Sequence, residues 1–160
     1  MATQLTFDLP AGVALTAGDF FVSEANAAAY VLVTHVDSWP ERKLVLTGPE
    51  GSGKSHLARV FATNEDAIII DAASLTGEMT RPKKPVVIED IENLTASGET
   101  AMFHLHNHLR NAGLPLLMTA QTPPARWNIA LPDLASRMQA TTVAQIDDPD
   151  DDLLTALILK

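Results

Sequence analysis

The stretch Leu44-Val45-Leu46-Thr47-Gly48-Pro49-Glu50-Gly51-Ser52-Gly53-Lys54-Ser55 runs a short apolar segment directly into the pattern G-x-x-x-x-G-K-[ST]. A strand before that pattern and a helix after it form the context in which it makes a phosphate-binding loop. The glycines let successive backbone N–H groups turn inward around an anion, and the helix N-terminus adds partial positive charge. Lys54 can then reach the β- and γ-phosphates of a nucleotide, while the Ser55 hydroxyl can hold magnesium. Gly51, Ser52, Gly53, Lys54 and Ser55 are therefore the first candidate binding residues.

Outward from this loop the chain alternates. Ala67–Ile70, Pro85–Ile88, Leu114–Met118 and Thr142–Ile146 are further short apolar runs, most of them continuous, as strands buried on both faces should be. Helical segments are expected between them at Lys54–Thr63, Gly98–Ala112 and Pro132–Met138. Repeated strand–helix–strand units imply a five-stranded parallel sheet flanked by helices, an α/β fold of the P-loop NTPase kind. Ahead of it a helix is expected from Ser23 to Val36, with Ser23 as N-cap and Pro40 beyond its end. Residues 1–18 have no helical period and contain Pro10, Gly12 and Gly18, which reads as an extended arm. The nucleotide-binding domain is expected over 19–147. The five aspartates between Asp147 and Asp152 read as a solvated cap on a final short helix over 148–160.

Composition narrows the function. The chain has 160 residues, 46% of them apolar, and a formal net charge of −9. That length suits one domain. A pI near 4.8 argues against direct nucleic-acid binding through a basic face of its own. With no cysteine, disulfides, a thiolate nucleophile and Cys-ligated metals are excluded. No apolar run approaches the roughly 20 residues of a membrane span, and Met1–Leu9 carries no Lys or Arg for a secretory signal. A cytoplasmic location is expected.

Further chemistry is expected at strand ends. Glu89-Asp90 follows Val86-Val87-Ile88 and so lies at the carboxyl edge of the sheet, where open α/β folds bind ligands. Adjacent strand residues point to opposite faces, so one of the two should meet the metal. Gln121 ends the strand that begins near Leu114 and could sense a terminal phosphate or orient water. Arg137 suits transition-state charge on a transferred phosphoryl group, although an arginine near a helix C-terminus ordinarily complements the dipole. His104 and His108 share a helical face and His106 points elsewhere. No acidic partner completes a metal shell, and exposed or interface positions are expected for these histidines.

Taken together, these segments resemble the DnaA-type AAA+ ATPases, most closely the Hda branch that regulates the replication initiator. The similarity spans nearly the whole chain. Phe20-Phe21-Val22 with Asn26 is similar to the family segment that lies near adenine, which implies nucleotide contact at Phe21 and Val22. His56-Leu57 after the loop, Phe103-His104 with Asn107, and Thr119–Pro124 follow the family as well. Leu131–Arg137 resembles the segment bearing an arginine finger offered to a neighbouring subunit. Gln4-Leu5-Thr6-Phe7-Asp8-Leu9 resembles the peptide by which such proteins dock on the sliding clamp, with Gln4, Leu5, Phe7 and Leu9 as its contacts.

The resemblance implies ATP or ADP with Mg²⁺ held by Ser55 and Glu89, catalytic roles for Glu89, Asp90, Gln121 and Arg137, and the sliding clamp and the initiator DnaA as partners. It leaves open a homo-oligomer. Two departures stand out: Glu89 replaces the usual aspartate, and Gln121-Thr122 stand where the family tends to have Asp and Arg. Residues 148–160 would be only the start of a truncated lid helix. ATP hydrolysis is thus expected to be weak or partner-dependent. A nucleotide-locked adaptor without turnover is the alternative. A P-loop phosphotransferase is disfavoured, because Arg59, Arg81, Arg110, Arg126 and Arg137 form no lid cluster.

Overall fold

The structure, a computed structural model, describes residues 27–146. The expected arm with Gln4, Leu5, Phe7 and Leu9, the segment with Phe21, Val22 and Ser23, and the tail over 148–160 lie outside the described residues.

Helix α1 (Ala27–Val33) leads through two 3₁₀ turns to β1 (Lys43–Thr47). Then follow α2 (Lys54–Glu65), β2 (Ile68–Asp71), β3 (Val86–Glu89), α3 (Ala96–Ala112), β4 (Leu116–Ala120), α4 (Pro132–Gln139) and β5 (Thr142–Gln145). All pairings are parallel and the strand order is β2-β3-β4-β1-β5. With β1 between β4 and β5, Val45 lies beside Met118 and Val143.

Strand alternation divides the apolar residues into two cores. Val45, Ile88 and Met118 face α3 and α4, where Met102, Leu105, Leu109, Leu134 and Met138 cover them. Leu44, Leu46, Val87 and Leu117 face α1 and α2, meeting Tyr30, Val33, Leu57 and Phe61. Trp39 closes that second layer by stacking on Phe61 at 5.3 Å between ring centroids. A sheet covered on both sides presents its polar strand ends at its edges, and this is what places the site.

Three expectations need correction. Strands buried on both faces describe β1, β3 and β4, whereas β2 is an edge strand that leaves Ile68 and Ile69 39% and 45% exposed. Helix α1 ends at Val33 rather than Val36. The Thr34 hydroxyl donates back to the Tyr30 carbonyl at 2.9 Å, and His35 leaves helical geometry at φ −133°. Finally, β3 and β4 begin one and two residues later than the apolar runs. Pro85 and Pro115 have no N–H to give the ladder, and serve it through their carbonyls instead.

Candidate nucleotide-binding site

The carboxyl ends of β1, β3 and β4 converge on an open cleft of about 490 Å³. Its floor is the glycine-rich loop after β1. Gly51 and Gly53 have φ of +80° and +100°, a left-handed conformation that side chains rarely adopt. Gly48 is required for space: a Cβ there would meet the Ile146 carbonyl and Ser52 Oγ, each at 2.8 Å. The first hydrogen bond of α2 runs from the Leu57 amide to the Gly53 carbonyl. The amides ahead of Leu57 have no partner within the helix, so their N–H groups present an anion-attracting end.

Lys54 is buried and its ammonium donates to the carbonyls of Gly48 and Pro49 at 2.8 and 3.1 Å. Its positive charge is thereby fixed within the loop. Ser55 Oγ donates to Glu89 Oε2 at 3.0 Å, so hydroxyl and carboxylate from different elements meet at one point. Asp90 leaves the strand with φ 56° and ψ 57°, its amide donating to Thr119 Oγ1 at 2.9 Å. Of the acidic pair, Glu89 therefore meets Ser55, and Asp90 lines the cleft. An ammonium, helix-end amides and paired hard oxygens form a donor set suited to a magnesium polyphosphate.

Gln121 and His56 also line the cleft, together with Glu50, Arg59, Glu92 and Asn93, which motif reading did not single out. Glu92 is the most consequential of these. Its Oε1 accepts from the Gln121 amide at 2.8 Å, and its Oε2 accepts from the Thr122 amide and hydroxyl at 3.1 and 2.5 Å. The end of β4 is thus held by the protein's own carboxylate. Only a signal pairing position 92 with the strand end could have found it. Ser52 turns away from the cleft, its buried Oγ without a hydrogen-bond partner.

Arg137 does not line this cleft. It sits in the last turn of α4, with its guanidinium over the Phe103 ring at 5.4 Å and its Nε buried without a hydrogen-bond partner. Its carbonyl accepts from Thr141 Oγ1 at 2.9 Å and from Lys43 Nζ at 3.4 Å. Lys43, 5% exposed, also donates to His106 Nε2 at 3.0 Å. Burial foremost, then the Lys43 charge, pushes the His106 imidazole down to about 4. Burial likewise lowers Lys43. His106, only 2% exposed, is thus a core residue, contrary to the expectation for these histidines. The neighbouring Glu99, also buried, accepts from the amides of Ala130 at 3.0 Å and Leu131 at 3.0 Å, fixing the segment ahead of α4. Among the described residues no group of three or more His, Asp or Glu could hold a metal ion. None of the described helices is long and apolar enough to cross a membrane.

No family model matches the chain. Solved structures do. AMPPCP-bound DnaA from Aquifex aeolicus is 17% identical at a TM-score of 0.77, over 89% of this chain and 53% of that one. Domain III of the Thermotoga maritima replication initiation protein DnaA is 22% identical with a TM-score of 0.74, over 93% and 72% of the two chains. A Neisseria meningitidis protein known from a solution structure is 27% identical at a TM-score of 0.53, over 81% and 88%. The chain spans about half the length of the first initiation proteins it matches. Its fold, a five-stranded parallel sheet flanked by helices, is the fold of domain III of the replication initiation protein DnaA.

Proposed function

We propose that this chain is a DnaA-like nucleotide-binding protein of the regulatory Hda kind, acting in control of replication initiation. The observation that carries the reading is the meeting of Ser55 and Glu89 at 3.0 Å beside the Lys54 ammonium, at the carboxyl edge of the sheet. In this reading the amides of residues 51–55 and Lys54 receive the phosphates of ATP or ADP, and Ser55 and Glu89 hold Mg²⁺. The metal, when bound, neutralises charge on the phosphate oxygens. The likeness to AMPPCP-bound DnaA supports the choice of nucleotide.

Arg137 acts on a second nucleotide, one held by the initiator. Its position off its own cleft supports a role in trans. Fingers of this type contribute about 10³–10⁵ in rate by stabilising charge in the transition state. Docking on the sliding clamp through Gln4, Leu5, Phe7 and Leu9 rests on the sequence pattern. The nucleotide-locked adaptor is the second reading, favoured by the Glu92 carboxylate that engages Gln121 and Thr122.

Calorimetry with ATP and ADP, each with Mg²⁺, tests the binding site: wild type should bind and Lys54→Ala should lose affinity while remaining folded. Arg137→Ala should bind nucleotide normally and abolish stimulation of the initiator's ATPase. Persisting stimulation removes the finger assignment. Equal retention of wild type and Gln4→Ala/Leu5→Ala on immobilised clamp removes the docking assignment. Phosphate release by the isolated protein separates a slow ATPase from an adaptor.

A further inference from the structure

A second cleft, about 450 Å³, opens between the exposed face of α3 and the loop joining β2 to β3. His104, Asn107, His108 and Asn111 are spaced i, i+3, i+4 and i+7, so they form one stripe along the helix. Thr80 and Arg81 face them from the loop. The lining contains no carboxylate, in a chain where Asp and Glu outnumber Lys and Arg by 20 to 11.

The lining groups are oriented by bonds made behind them. Lys43 Nζ can only donate, so His106 Nε2 accepts and its Nδ1 carries the proton. That proton faces Asn107 Oδ1 at 3.5 Å, which assigns the Asn107 oxygen inward and its NH₂ to the cleft. His108 Nε2 donates to the Pro82 carbonyl at 2.7 Å, and Thr80 Oγ1 donates to the Gly77 carbonyl at 3.0 Å. The first holds the loop against the helix, and the second closes a turn within the loop. Among the described residues the ion pairs join Asp37 to Arg42, Asp66 to Lys84 and Glu41 to Arg110, and Arg81 has none. Its guanidinium, a planar fork of N–H donors matched to tetrahedral oxyanions, is uncommitted among the described residues.

We infer that this cleft is a binding site for a phosphate oxyanion, separate from the P-loop, with Arg81 as its charged anchor and the Asn107 amide as an aligned neutral donor. The ligand is either free phosphate or the terminal group of a phosphomonoester, since both present the same oxygens.

Site-resolved ¹H–¹⁵N spectra of the full chain test this at constant ionic strength, with inorganic phosphate as probe and chloride as control. Phosphate should produce saturable shifts at residues 80–82 and 104–111, distinct from any at residues 51–55, and chloride should produce none. Arg81→Gln should weaken the apparent affinity at this cleft tenfold or more, and Asn107→Asp, which places a carboxylate there, should abolish it. In both variants the response of residues 51–55 serves as the control for folding. Glycerol 3-phosphate distinguishes the sources: tighter binding than inorganic phosphate assigns the ester, equal or weaker binding the free ion. Shifts that fail to saturate, that chloride reproduces, or that survive Arg81→Gln unchanged overturn the site. Loss of response at residues 51–55 alone would count against the nucleotide reading and leave this one standing.

Discussion

Glu92 and Thr122 are joined twice, the same carboxylate oxygen accepting the threonine amide at 3.1 Å and its hydroxyl at 2.5 Å. Donors that could point at a nucleotide from the end of β4 are therefore engaged by a side chain following β3. Glu92→Ala should lower unfolding stability by about 1 kcal/mol, because hydrogen bonds to a charged acceptor are lost at an exposed site. Urea denaturation of the two proteins measures it. An unchanged midpoint would mean that these bonds do not hold in solution.

The glycines of the loop differ in why they are glycines, and alanine scanning should separate them. At Gly48 the added methyl meets main-chain oxygen of Ile146, which cannot rotate away, so Gly48→Ala should cost about 1–3 kcal/mol. Gly51→Ala meets nothing within 4 Å but is held at φ +80°, for about 1–2 kcal/mol. Gly77, a comparison position in the loop joining β2 to β3 with neither constraint, should tolerate alanine without loss. Denaturation midpoints that ranked Gly77→Ala as the most harmful would contradict this loop geometry.

Nucleotide affinity should depend strongly on magnesium. A polyphosphate entering the cleft meets Glu50, Asp90 and Glu92 as well as Lys54 and Arg59. Without a cation those carboxylates repel it. Chelation by EDTA should weaken ATP binding about tenfold or more, equivalent to about 1.4 kcal/mol. Ser55→Ala and Glu89→Gln should each shrink the difference between the two conditions. Equal titration curves with and without metal would remove Ser55 and Glu89 from the metal site.

Stability should fall on mild acidification. His106 has its folded value pushed below 6.5 to about 4, chiefly by burial. Between those two values the unfolded chain binds the proton and the folded one does not, so stability rises with pH across that window and is lost as pH drops through it. The loss amounts to on the order of 3 kcal/mol by pH 4. Denaturation curves collected from pH 7 to 4.5 should show this slope, and His106→Asn should flatten it.

How legible was this molecule from its residues? Five strands and the order of helices between them follow from short apolar runs and from proline and glycine punctuation. Local pattern suffices where each element buries a self-contained face. Lys54, Ser55 and the Glu89-Asp90 pair were legible because their spacing is dictated by phosphate geometry. Glu92, Glu99 and Lys43 were not. Each acts on a residue far along the chain (Thr122, Leu131 and His106), and such pairings depend on sheet order, which no local period encodes. His106 was misjudged for a related reason: it alternates in sequence with His104 and His108, while its own position shares the buried side of the helix with Met102 and Leu109 and meets Lys43 of β1.

Glu99, Phe103 and His106 recur at i, i+4 and i+7 on α3. Glu99 grips the amides before α4, Phe103 underlies the guanidinium near its end, and His106 reaches the Arg137 carbonyl through Lys43. Fastened fore and aft to a single rod, α4 has no independent hinge. A tilt imposed on α3 would be passed to Arg137 through both fastenings, which makes the pair of helices a lever.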